Sequence, residues 1–175
     1  MEAIVNKIAE SGIITLDLAP YIPIATDMIV FDLKPFLFKE MILKEKDYRA
    51  ALQIHDWDQY QAKHIAITCS ADAIVPVWAY MLAASYLQPV ALSLYYGTLE
   101  ELEKLLVYQR LATIDFNEYT DKRIVIKGCG DTHIPDAAYV IITDHLRPIA
   151  KSIMYGEPCS TVPIYKKASI PKGTL

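Results

Sequence analysis

Residues 55–97 read HDWDQYQAKHIAITCSADAIVPVWAYMLAASYLQPVALSLYYG, and residues 114–156 read IDFNEYTDKRIVIKGCGDTHIPDAAYVIITDHLRPIAKSIMYG. Aligned without a gap, 15 of these 43 positions are identical. The identities include Asp56/Asp115, Ile65/Ile124, Ile67/Ile126, Asp72/Asp131, Pro76/Pro135, Tyr80/Tyr139, Pro89/Pro148, Tyr96/Tyr155 and Gly97/Gly156. A supersecondary unit used twice, 59 residues apart, is the simplest reading. In each copy Asp56 or Asp115 is suited to cap a short helical turn. Ile65-Ala66-Ile67 or Ile124-Val125-Ile126 then makes a short apolar strand. A loop holding Cys and Asp follows, and Pro76 or Pro135 opens a helix at the first-turn position that proline tolerates. The helix ends near Pro89 or Pro148, and a second strand runs to Gly97 or Gly156. Such a strand–helix–strand unit demands parallel strands and a right-handed crossover.

Between the copies, Thr98-Leu99-Glu100-Glu101 matches a capping box, and Leu99, Leu102, Leu105, Leu106 and Leu111 follow at helical spacing. The expected fold class is α/β: a three-layer domain with about four parallel strands from the duplicated unit, plus an N-terminal layer. The whole chain, 1–175, reads as one domain. Its parts are the N-terminal layer (1–54), repeat one (55–97), a linking helix (98–113), repeat two (114–156) and a Cys-containing tail (157–175). In the N-terminal layer, Ile13–Leu18 and Met28–Leu33 read as strands, with an edge hairpin as one arrangement, and Lys46–Ile54 as a short helix.

With 53% hydrophobic and 22% charged residues, the chain is neither disordered nor of low complexity. A net charge of −4, with no basic run longer than Lys166-Lys167, argues against nucleic acid as a partner. The longest apolar run, Ala73–Leu87, is too short to span a bilayer and reads as a buried core helix, so no membrane partner is expected. The N-terminus lacks the layout of a signal peptide, and three cysteines cannot close a disulfide framework. A cytoplasmic location is therefore expected. The hydrophobic excess suits a covered sheet or the interface of a homodimer.

In open parallel sheets, ligands bind beyond the carboxyl ends of the strands. All three cysteines fall there in the expected order: Cys69 after the first strand, Cys129 after the third, and Cys159 three residues past Gly156. Helices opening at Pro76 and Pro135 aim free N–H groups at these loops, which favours anionic sulfur. Three thiolates could hold an iron–sulfur cluster or zinc, with Asp72, Asp131 or His133 filling a remaining position. Two other readings stand beside this one. Cys69 or Cys129 could be the nucleophile of a thiol-dependent enzyme, oriented by Asp72, Asp131 or His133. Alternatively, the thiols could pack as small hydrophobes in a non-catalytic homodimeric interaction protein. No GxGxxG, GxxxxGK[ST] or GxSxG occurs. His55, His64 and His145 lie outside the cysteine loops and read as ordinary packing or surface histidines.

Several strings carry a resemblance to a known family: Thr68-Cys69-Ser70-Ala71-Asp72-Ala73-Ile74-Val75-Pro76, Lys127-Gly128-Cys129, and above all Gly156-Glu157-Pro158-Cys159-Ser160-Thr161-Val162-Pro163 continuing to Lys167. On these the chain resembles an uncharacterised bacterial family, domain of unknown function 2480, over nearly its whole length. The resemblance implies no reaction. It does imply a neighbourhood of iron–sulfur assembly proteins, which would then be partners.

Overall fold

The structure is a computed structural model that describes residues 12–128, 130–157 and 160–168. In chain order its strands are β1 (Ile13–Leu16), β2 (Met28–Asp32), β3 (Leu37–Phe38), β4 (Ile42–Leu43), β5 (His64–Thr68), β6 (Ser93–Tyr96), β7 (Arg123–Ile126), β8 (Ser152–Glu157) and β9 (Ser160–Lys166). The helices are α1 (Glu45–Gln53), α2 (Val77–Leu87), α3 (Leu99–Leu111) and α4 (Asp136–Leu146). The chain divides into two compact units. The middle unit in sequence is Pro23–Leu106, and the flanking unit comprises the segments before and after it.

The middle unit has a parallel sheet in the order β2-β5-β6, with β3 and β4 as a small antiparallel pair. Its strands are apolar on both faces because both are covered. Phe31, Ile65 and Ile67 pack with Ala79, Ala83 and Leu87 of α2 and with Tyr48 and Leu52 of α1. Ala66 faces the other way, with Leu102 and Leu106 of α3. This gives three layers, helix–sheet–helix. The Tyr48 hydroxyl, deep in the core, donates to Ala79 O at 3.1 Å, and burial pushes its phenol pKa up.

The flanking unit has the order β1-β7-β8-β9, with the first three strands parallel and β9 antiparallel to β8. Ile124, Ile126, Ile153 and Leu16 form its core with Ala138, Ile142 and Leu146 of α4. Val107 and Leu111, from the end of α3, belong to the same core. A register shift between Ile153 and Met154 accommodates Pro163 in β9, since a strand proline needs a bulge or an edge.

Equivalent features recur 59 residues apart in the two units. Ala62 N–H donates to Val90 O and Asp121 N–H to Ile149 O, each at 2.9 Å and each from a left-handed residue (φ 55° and 57°). Trp57 stacks on Tyr86, and Phe116 on His145. Tyr80 meets Tyr96 edge-on, as Tyr139 meets Tyr155. Gly97 and Gly156 both hold positive φ, at 144° and 119°.

The structure differs from the sequence expectation in four respects. The parallel strands are shared between two sheets rather than gathered in one. Residues expected as an N-terminal layer instead give each sheet an added strand: β1 pairs with β7 and β2 with β5, both parallel, so they form no hairpin. The strand–helix–strand unit leaves its first strand with an open edge, and an apolar strand such as Ile13–Leu16 fills it. Pro76 and Pro135 stand just outside their helices, with extended ψ of 142° and 141°, so both helices begin one residue later. Finally, Ala73–Leu87 is not a fully buried helix: residues 73–76 are loop, and Val77 and Met81 of α2 are exposed. Among the described residues, no helix is long and apolar enough to cross a membrane.

Candidate functional site

In the flanking unit, β1 ends at Leu16 and β7 at Ile126 in register, so Asp17 and Lys127 leave the sheet side by side. Lys127 N–H donates to Leu16 O at 2.9 Å, which extends the pairing by one bond. Asp17 Oδ1 accepts from Ala19 N–H, and its Oδ2 accepts from Lys127 Nζ, both at 2.9 Å. The Lys127 ammonium and the Ala19 N–H hold the Asp17 carboxyl below its usual range, and the same contact raises Lys127. Two phenols brace the next turn: Tyr139 OH, from α4, donates to Lys127 O, and Tyr155 OH, from β8, donates to Gly128 O, each at 3.5 Å. Glycine at position 128 permits this approach, because a Cβ there would lie 2.6 Å from Tyr155 Cζ and the ring would have to shift.

These groups line a polar cavity of about 460 Å³, within the range of small-ligand sites. Gly130, Asp131, Thr132 and His133 form its rim, and Asp136, in the first turn of α4, completes one wall. Asp131, His133 and Asp136 are exposed. Lys127 is paired with Asp17, so the remaining charge is that of Asp131 and Asp136, and the cavity is set up for a cation more than an anion.

The corresponding place in the middle unit has different chemistry. Asp32 is the last residue of β2, where Asp17 directly follows β1, and its Oδ1 accepts from Lys34 N–H at 2.9 Å. Its other partner is Ser70, whose N–H donates to Oδ1 at 2.9 Å and whose hydroxyl donates to Oδ2 at 2.5 Å. Burial raises the Asp32 pKa, but the hydrogen bonds outweigh burial and hold it below its usual value. Thr68, Ile74 and Val77 stand where the flanking unit has Lys127, His133 and Asp136. The cavity beside Tyr80 and Tyr96 is correspondingly apolar, about 730 Å³.

The residues predicted as ligands are thus distributed over both units. Cys69 and Asp72 belong to the middle unit, and Asp131 and His133 to the flanking one. Cys69 is partly buried against the apolar core, with its Sγ 3.8 Å from Ala71 O. Asp72 is exposed. Cys129 and Cys159 lie outside the described residues. Among the described residues, no group of three or more His, Cys, Asp or Glu side chains could hold a metal ion. Sequence reasoning missed Asp17, Lys127, Tyr139 and Tyr155 as parts of a site. The repeat comparison signals the cavity at His133 and Asp136, where the first copy has Ile74 and Val77, but not at these four: both tyrosines recur in the first copy, Lys127 replaces Thr68, and Asp17 lies outside the repeat.

The model of a family described as protein of unknown function (DUF2480) matches residues 2–167. Neither a curated protein nor a solved structure matches the chain.

Proposed function

The chain belongs to the DUF2480 family, whose description names no activity, and from its own site we propose that it binds a metal ion or an iron–sulfur cluster, in the service of cluster assembly or transfer. The observation that carries this reading is the polar cavity of the flanking unit, in which Asp17 neutralises Lys127 and leaves Asp131, Asp136 and His133 around an opening at the strand ends. Among the described residues, oxygen and imidazole donors alone make no metal-holding group there, so the reading calls on sulfur. Cys129 stands in sequence between Gly128 and Gly130, which both line the cavity. Cys159 stands in sequence between the last residue of β8 and the first of β9, and β8 is the in-register neighbour of β7. Thiolates from these two positions, with His133 or Asp131, form a donor set suited to iron–sulfur clusters or zinc. An exposed rim suits a group that must be received and passed on. Cys69 and Asp72, in the other unit, are not needed.

Anaerobic reconstitution of the full chain with ferrous iron and sulfide, or with zinc alone, tests the proposal. The wild type should retain metal in stoichiometric amount. Cys129→Ser and Cys159→Ser should lose it, while Cys69→Ser keeps it, all with unchanged circular dichroism. Protein that retains no metal, or that retains it equally in both the Cys129→Ser and Cys159→Ser variants, overturns the reading.

A further inference from the structure

Residues 73–97 contain no charged side chain, in a chain where 22% of residues are charged. The stretch includes all of α2 and β6. The equivalent residues of the flanking unit, 132–156, include Asp136, Asp144, Arg147 and Lys151, so an uncharged surface is not a requirement of the fold. The uncharged stretch forms the α2 and β6 side of the middle unit. There Ile74, Val77, Met81 and Tyr96 are 93%, 73%, 67% and 70% exposed and line one apolar cavity at the β6 edge.

β6 is the last strand of its sheet. Its sequence, Ser93-Leu94-Tyr95-Tyr96, has none of the lysines, prolines or bulges with which edge strands discourage pairing. The sister unit shows what such a place accepts. Beside β8, the counterpart of β6, runs the antiparallel strand β9, and its Ile164 lines a cavity with Tyr139 and Tyr155. After Gly156 the flanking unit supplies that strand itself, whereas after Gly97 the chain enters α3, and among the described residues no strand pairs with the outer edge of β6.

We propose that the occupant of this lane is β6 of a second copy, paired antiparallel across a two-fold axis so that the two middle-unit sheets become one of six strands. Leu94 and Tyr96 lie on one face of β6, and α2 flanks that face, so the two-fold brings each copy's Met81, Val77 and Ile74 toward the other's. An isologous contact sets one patch against itself, residue i meeting residue j and j meeting i, with like against like only near the axis, so a patch with no charges is self-complementary. The four exposed side chains of both copies supply on the order of 1,000 Å² of buried surface, at the low end for a specific interface. Backbone hydrogen bonds along β6 add to it.

Light scattering on full-length protein tests the inference. The wild type should give twice 19.7 kDa, dissociating only on dilution. Met81→Lys combined with Tyr96→Lys, both at exposed positions, should give monomer that still unfolds cooperatively, with a midpoint that no longer depends on protein concentration. Val140→Lys, at the exposed counterpart of Met81 in the flanking unit, should leave the dimer intact. A wild type that stays monomeric up to about 100 µM overturns the proposal, even if the groove then captures a strand peptide. A dimer that survives the double substitution overturns it as well.

Discussion

Replacing Asp32 by alanine removes the carboxylate that ties the end of β2 to the loop after β5. Three donors lose their acceptor: Lys34 N–H, Ser70 N–H and the Ser70 hydroxyl. A hydrogen bond to a charged group contributes about 1.5–3 kcal/mol where water is excluded. Ser70 is exposed and Asp32 only partly buried, so water replaces much of this. The expected cost of Asp32→Ala is ~2–3 kcal/mol in total, and of Asp32→Asn, which keeps an acceptor at Oδ1, ~1 kcal/mol. For a chain of this size the alanine variant should melt roughly 5–10 °C lower. Both tryptophans, Trp57 and Trp78, lie in the middle unit, so their fluorescence reports its unfolding directly. The sign of the pH dependence follows from the lowered pKa of Asp32. Its stabilisation is complete above the unfolded value of 3.8 and is lost as pH falls through the folded value below that. The gap between wild type and Asp32→Ala should therefore hold from pH 7 to about 5 and shrink below about 4. A gap under about 0.5 kcal/mol at neutral pH, or one that persists unchanged into acid, refutes the reasoning.

Gly156→Ala should cost about 2–4 kcal/mol by thermal melting, since it forces a Cβ onto a backbone φ of 119° and within 2.6 Å of the Ser160 carbonyl oxygen. Gly130→Ala, with nothing within 4 Å, should be within about 0.5 kcal/mol of wild type; equal effects at the two positions would contradict the assignment. Ile142→Ala opens a void beneath α4, where Ile142 is fully buried, and should cost about 2–5 kcal/mol in a urea titration. Cys69→Ala trims a partly buried side chain packed on the middle-unit core and should cost less than about 1.5 kcal/mol while leaving metal uptake unchanged; loss of metal would place Cys69 in the site.

The α/β class could be read from the sequence because the local rules agree with one another. Period-59 identities mark the strands β5 to β8, prolines mark the starts of α2 and α4, and the Thr98–Glu101 capping box is present with Thr98 N–H donating to Glu101 Oε2. The division into two sheets was harder to see because the added strands come in the reverse order. β1 serves the second copy and β2 the first, so their shared pattern has an offset of 15, not 59: Asp17-Leu18 with Pro20-Tyr21, against Asp32-Leu33 with Pro35-Phe36. β9 escaped notice for a different reason. Its alternation is interrupted by Pro163, which is accommodated by its place in an edge strand and by the register shift opposite Ile153 and Met154. Lys167, at the surface, reaches Asp121 at 2.9 Å across 46 residues of chain. The candidate site was only half visible. His133 and Asp131 are chemically conspicuous in a loop, but Asp17 meets Lys127 across 110 residues of chain, and no local pattern announces such a pair.

X-ray absorption at the edge of the metal bound after anaerobic loading tests the central claim most directly, because it counts donor atoms around the ion. The account predicts a first shell that contains sulfur beside light atoms, with a light-atom contribution that falls in His133→Ala and a sulfur count that drops in Cys129→Ser. A shell of oxygen and nitrogen alone, or one indifferent to Cys129→Ser and Cys159→Ser, would contradict it.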